Sequence, residues 1–200
     1  MTGYKGGKCM LAGWIISHFP KGYEEMCYVE AFGGMGWVLL KKRPSKIEVF
    51  NDIDGMVVNA FAQVRDNPRE VYRWLTLTPC SRRLYNEYRQ KLRRQDFKDD
   101  LERACVYLYV LSASFAGHAG RGGFSYSTKK KRHSLGALCG RIYEVSQRLQ
   151  NVIIENLDYR EVLQKYDSPQ TLFYLDPPYL GRSYYGATPV WGEKEYEELH

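Results

Sequence analysis

Asp176-Pro177-Pro178-Tyr179 is the stretch of this 200-residue chain best equipped for chemistry. Two consecutive prolines fix φ at both positions and carry carbonyls with no N–H of their own. The corner is therefore stiff and rich in acceptors. Asp176 adds a charged acceptor and Tyr179 a flat ring. Such a set suits a planar substrate with an amino group: two acceptors for its two N–H bonds and a stacking face for its ring. The plainer reading is a strand that ends in a Pro-Pro turn with a core tyrosine.

Three further segments pair an apolar run with an acid. MCYVE ends at Glu30 and runs into the glycine turn Phe32-Gly33-Gly34-Met35-Gly36, IEVFN runs into Asp52 and Asp54, and VIIE is followed by Asn156-Leu157-Asp158-Tyr159. In open parallel sheets the ligand crevice lies beyond the carboxyl ends of the strands. One acid at a strand end is often just a helix N-cap, but acids at all four ends point to a site. Gly33, Gly34 and Gly36 could serve a tight turn or let the backbone approach a ligand. Asp52, about twenty residues beyond that turn, is placed to bond ribose hydroxyls. Together they suggest a nucleoside-bearing cofactor. The dinucleotide fingerprint and the Walker lysine are both missing.

The elements that must position these residues follow from pattern. Strands are expected over 26–30, 47–51, 152–155 and 171–175. Helices are expected over 8–18, 37–42, 54–65, 70–75, 81–94, 98–115 and 134–150, and a long Gly/Ser/Lys-rich loop over 116–133. Strand and helix alternate, interrupted by a helical block, which argues for an α/β fold with a mostly parallel sheet. The formal net charge is +6. By count, 69–148 carries +10 and the remainder −4. Arg82, Arg83, Arg89, Arg93 and Arg94, with Lys91, form one cluster, and Lys129, Lys130, Lys131 and Arg132 another. Interleaved with aromatics, such clusters attract nucleic acid, although a charge run is often only a solvated face. No apolar run is long enough for a membrane span and no signal peptide is read. Five scattered cysteines without a C-x-x-C pair suggest neither a zinc site nor a disulfide scaffold, and fit a reducing, cytoplasmic setting.

These residues resemble the Dam-type DNA adenine methyltransferase family. Its DPPY motif stands here as Asp176 to Tyr179. Its cofactor loop looks like Tyr28 to Gly36, its second acidic motif like Asn51-Asp52-Ile53-Asp54, and its N-terminal motif like Tyr4-Lys5-Gly6-Gly7-Lys8. Ser114 to Gly117 with Arg121, Gly123 and Phe124 is similar to its loop beside DNA. Ala31 stands where the family often has proline, and Ala116 and His118 replace an asparagine-rich stretch.

The resemblance implies a Rossmann-like sheet of the S-adenosylmethionine-dependent type, with a cofactor-binding and catalytic domain over 1–68 and 149–200. The basic helical insertion, 69–148, would recognise double-stranded DNA. It implies S-adenosylmethionine as cofactor and no metal. Lys8 and Tyr4 would meet the methionine end of the cofactor, with Glu30, Phe32, Gly33, Gly34 and Gly36 around it. Asp52 would hold the ribose, and Asp158 and Tyr159 would flank the cofactor adenine. Asp176 and the Pro177 carbonyl, followed by Pro178, would hold the target amino group, with Tyr179 stacked on the flipped base. Arg121 joins the two basic clusters as a DNA contact. A DPPY strand so near the chain end would leave the sheet incomplete at its C-terminal side. The edge at 171–175 would then be covered by further chain or by a second chain. The alternative is a non-catalytic relative that retains cofactor or DNA binding. Calorimetry with the cofactor and a methylation assay separate the two.

Overall fold

The structure is a computed structural model that describes residues 8–114, 123–125, 134–178, 192–197 and 199. Four strands, β1 (Cys27–Glu30), β2 (Ile47–Asn51), β3 (Val152–Glu155) and β4 (Thr171–Tyr174), form one parallel sheet in the order β3-β2-β1-β4. The helices are α1 (Ala12–Ser17), α2 (Trp37–Lys41), α3 (Gly55–Asp66), α4 (Pro68–Leu77), α5 (Arg82–Arg94), α6 (Asp100–Ala113), α7 (Ser134–Cys139), α8 (Ile142–Leu149), α9 (Tyr159–Tyr166) and α10 (Glu193–Glu197).

The sheet is covered on both faces, which is why its inner strands read as near-continuous apolar runs. Alternate residues point to opposite sides. Tyr28 and Phe50 join a large core with α2, α3 and the helical block, reaching Val71, Tyr85 and Leu111. Val29 and Val49 join a smaller one with Tyr159 and Val162 of α9. Phe50 stacks on Phe61 of α3 at 4.2 Å between ring centres.

Local chemistry sets the helix starts. Asp54, Ser81, Asp99 and Asp158 each cap a helix by accepting a backbone N–H from its first turn. Pro68 opens α4, where a missing N–H costs nothing. The single helix expected over 134–150 is two, broken at Gly140-Arg141. There the Arg141 N–H turns back to the Leu138 carbonyl, and glycine tolerates the interruption. The helix expected from residue 8 begins at Ala12, after a turn in which the Lys8 carbonyl accepts from the N–H groups of Leu11 and Ala12.

A buried ion triad joins the helical block to the sheet. Glu48 on β2 accepts from Lys42 Nζ at 2.5 Å and from Arg148 of α8 at 2.5 and 2.7 Å. Lys42 also lies over the rings of Tyr28 and Tyr23. Among the described residues no helix is long and apolar enough to cross a membrane. There too, no group of three His, Cys, Asp or Glu could hold a metal ion.

Candidate active site at the strand ends

Three of the four strand ends are stitched together by one side chain. Asn51 closes β2 and is fully buried. Its Nδ2 donates to the carbonyls of Ala31 (2.9 Å) and Leu157 (3.1 Å), and its Oδ1 accepts the Leu157 N–H at 2.8 Å. Its own carbonyl accepts the Gly33 N–H at 2.7 Å. Asn156 adds a second stitch, donating to the carbonyls of Asp52 and Ile53 at 2.7 and 3.2 Å. Sequence reasoning assigned neither asparagine a role. The available signal was an amide at the end of an apolar strand, which must find partners when buried.

The glycine turn needs its glycines. A Cβ on Gly33 would sit 2.2 Å from Phe50 Cε2, and Gly34 and Gly36 have φ of +51° and +61°. Gly33→Ala therefore forces Phe50 off its stack with Phe61. The substitution is expected to cost about 1–3 kcal/mol. In urea titrations Gly33→Ala/Phe50→Leu should lose less than the sum of the single changes; strict additivity would refute this packing account.

Asp52 ties that turn to the next loop. One carboxylate oxygen accepts the Gly34 N–H at 2.7 Å and the other the Asp54 N–H at 2.8 Å. Burial pushes its carboxyl up to about 6, against the pull of those two N–H groups. Glu30, 2 % exposed, accepts from the Tyr28 hydroxyl (2.9 Å) and the Leu39 N–H (3.0 Å). Burial carries it up to about 8, and the Asp176 charge adds to that. Glu30 thus anchors the first turn of α2 from beneath the glycine turn. Phe32 and Tyr159 lie with ring centres 5.3 Å apart. Asp158, the α9 cap, uses Oδ1 for the Arg160 N–H at 2.9 Å.

Asp176 lies beside this assembly. Glu30 is in register with Tyr174, so β1 and β4 leave the sheet side by side. Asp176 follows two residues later, and its carboxylate pairs with Lys8 Nζ at 2.7 Å. The structure therefore brings together Lys8, Glu30, Phe32, Gly33, Gly34, Asp52, Tyr159 and Asp176 at one edge of the sheet. Tyr4, Arg121, Lys129, Lys130, Lys131, Arg132 and Tyr179 lie outside the described residues.

Arg82, Arg83, Arg93 and Arg94 are exposed on α5 and Arg89 is half-buried, while Tyr85 faces the core. At helical spacing Arg82, Arg89 and Arg93 share one stripe, and Arg83 and Arg94 a second, about a third of a turn round the helix. Arg82 lies over the Phe124 ring, its guanidinium carbon 5.3 Å from the ring centre.

Fold and site define a Rossmann-like α/β protein with acids gathered at the carboxyl ends of its parallel strands. The sequence profile of the D12 class N6 adenine-specific DNA methyltransferases matches residues 4–198, and the chain belongs to that family. It is 26% identical over 188 residues to the Type II methyltransferase M1.LlaDCHI of Lactococcus lactis subsp. cremoris. That alignment covers 90% of this chain and 65% of the relative's length.

Proposed function

We propose that the chain acts in transfer of a methyl group from S-adenosylmethionine to the exocyclic amino nitrogen of adenine in duplex DNA. The observation that carries this reading is the position of Asp176, just past β4 and beside the glycine turn after β1, with its carboxylate paired to Lys8.

The residues fit the cofactor. Phe50 beneath Gly33 and the positive φ of Gly34 and Gly36 hold the turn tight against the sheet where the cofactor would lie. Each Asp52 oxygen has one N–H partner and a lone pair left for a ribose hydroxyl. Phe32 and Tyr159 offer an apolar wall, with Asp158 at its edge. Lys8 is the cation that would meet a carboxylate. When bound, S-adenosylmethionine supplies an electrophilic methyl group: its C–S bond breaks as the new C–N bond forms, leaving a neutral thioether.

Asp176 and the Pro177 carbonyl accept the two N–H bonds of the target amino group. Acceptors out of the ring plane draw the nitrogen toward a pyramid and free its lone pair, which in adenine is delocalised into the ring. Alignment and electrostatics then carry most of the rate. The methylated nitrogen sheds one proton to Asp176 and on to solvent. Tyr179 stacks on the extruded base, helping to offset an unstacking cost of a few kcal/mol. The basic block over 69–148, with the α5 arginines, supplies phosphate contacts. The outer edge of β4, without a strand partner among the described residues, is where further strands or a second chain would add. The relative's Type II name suggests the modification role of a restriction–modification pair.

The test is incorporation of labelled methyl into duplex DNA, together with sequencing of modified adenines in the DNA of an expressing cell. Cofactor binding in calorimetry without adenine methylation would overturn the reading.

Asp52 predicts a pH dependence. Between about 4, its unfolded value, and about 6, the folded chain holds a proton that the unfolded chain has lost. Its contribution to stability therefore falls as pH rises across that window. Cofactor affinity moves the other way, because the ionised carboxylate is the better acceptor. Calorimetry between pH 5 and 7 should show affinity rising with a midpoint near 6, with Asp52→Asn flat over the same range. An equally steep rise in Asp52→Asn would remove Asp52 as the cause.

A further inference from the structure

We propose that Lys8 is a positioning residue for Asp176: it holds the Asp176 carboxylate until a cofactor is bound, then exchanges it for the cofactor's own carboxylate. Asp176 is released to the target amino group only on a loaded protein. The inference rests on the reading of Asp176 as the target acceptor.

Three observations carry it. First, Lys8 Nζ lies 2.7 Å from Asp176 Oδ1, the two side chains being 18% and 27% exposed. An ammonium on that oxygen competes directly with an incoming amino group. Charges this poorly hydrated are also costly to leave without a counter-ion. Second, a second carboxyl, the buried Glu30, feels the Asp176 charge. With Glu30 held toward its protonated form, Asp176 is the anion that the Lys8 ammonium balances. Third, the main chain at Lys8 is fixed while the side chain is long. The Lys8 carbonyl accepts from Leu11 and Ala12, and the next carbonyl, at Cys9, accepts from Lys41 Nζ at 2.5 Å. A four-carbon stem on a fixed base can swing its ammonium without moving α1.

Charge bookkeeping then sets the direction. S-adenosylmethionine carries a sulfonium, an α-ammonium and an amino-acid carboxylate, and S-adenosylhomocysteine keeps the last two. The carboxylate, common to both, is the group that draws Lys8. After the exchange Lys8 is paired with the cofactor carboxylate, and Asp176 accepts from the target amino group, with the sulfonium adding to its balance in S-adenosylmethionine. Cofactor and target binding are thereby positively coupled, and the coupling is reciprocal. No bond is made or broken in the exchange.

The test uses binding. Anisotropy gives the affinity for a labelled duplex carrying the adenine target found by sequencing. It is measured alone, with saturating S-adenosylhomocysteine, and with saturating decarboxylated S-adenosylhomocysteine. For the unaltered protein, S-adenosylhomocysteine should tighten DNA binding by about tenfold, a typical allosteric coupling, and the decarboxylated analogue by less than about twofold. Lys8→Met should bind DNA without ligand as tightly as the loaded unaltered protein, and Lys8→Arg should keep the coupling. A duplex with purine, which lacks the amino group, in place of the target adenine should show none. Urea titration confirms that each variant is folded. Equal coupling by the decarboxylated analogue, or full coupling in Lys8→Met, would overturn the proposal. Failure of S-adenosylhomocysteine to bind at all in calorimetry would instead overturn the methyltransferase reading beneath it.

Discussion

Asp176→Ala is expected to lower the single-turnover rate of methyl transfer by about 10³-fold, with cofactor affinity changed no more than a few-fold. The size follows from the role proposed for the residue. Removing one preorganised electrostatic partner from a reacting centre costs about 10²–10³ in rate, and loss of a positioned proton acceptor adds to that. Asp176→Asn keeps an acceptor oxygen but not the charge, and should fall between the alanine variant and the parent. The fold should survive both changes. Asp176 stands past the end of β4, is partly exposed and carries no backbone of the sheet. Lys8, also partly exposed, can turn to water. The measurement is rapid-quench incorporation of labelled methyl with protein in excess over DNA. Turnover of Asp176→Ala at the parent rate would end the assignment.

The second large effect is on stability. Glu48→Ala should cost about 3–5 kcal/mol, the range for breaking a buried ion network from one side. Against the 5–15 kcal/mol typical of folded domains, that is a large share. The Lys42 side chain is fully buried and that of Arg148 is 16% exposed. Losing Glu48 leaves two cations facing each other beneath α2. Lys42 keeps the Arg43 carbonyl and Ser45 Oγ, and Arg148 keeps the Leu39 carbonyl, but none of these is an anion. Burial alone pushes the Glu48 carboxyl up, yet Arg148 and Lys42 outweigh it and hold it below the usual carboxylate range. A depressed carboxylate contributes stability above its unfolded value and loses it as pH falls through the folded one. The parent should therefore lose this contribution below about pH 4.5, near the unfolded value of a glutamate, and Glu48→Ala should not. The triple change Glu48→Leu, Lys42→Met and Arg148→Leu should recover most of the loss, since apolar groups of similar volume often replace buried ions without penalty. Urea denaturation of the three proteins decides it. A loss under about 1 kcal/mol in Glu48→Ala, the worth of an exposed pair, would show that the network is solvated.

Much of the architecture was legible because the pattern is local. The apolar runs MCYVE, IEVFN, VIIE and TLFYL mark all four strands to within a residue at either end, and turn residues or acids bound them. The amphipathic spacing of 54–65 and 81–94 marks α3 and α5. The split of 134–150 at Gly140 was not legible. One glycine inside a helical pattern is usually tolerated, and the break is decided by how α7 and α8 pack. Two of the strand-end acids, Asp54 and Asp158, are helix caps as well, so the acid pattern mixes structural with functional demand.

The sequence alone determined which groups are present and roughly where each stands on its strand or loop: acceptors at Asp176 and Pro177, glycines at 33, 34 and 36, a carboxylate at 52 and a basic block between. Those are properties of residue type and short-range geometry, and they read directly from the chain. The tertiary structure alone decided who faces whom. Lys8 and Asp176 are far apart in sequence and meet at 2.7 Å; Asn51 reaches Leu157, 106 positions away; Arg148 reaches Glu48, 100 positions away. Such pairings depend on strand order and register, and these follow from how all the apolar faces are buried at once, a condition no single segment carries.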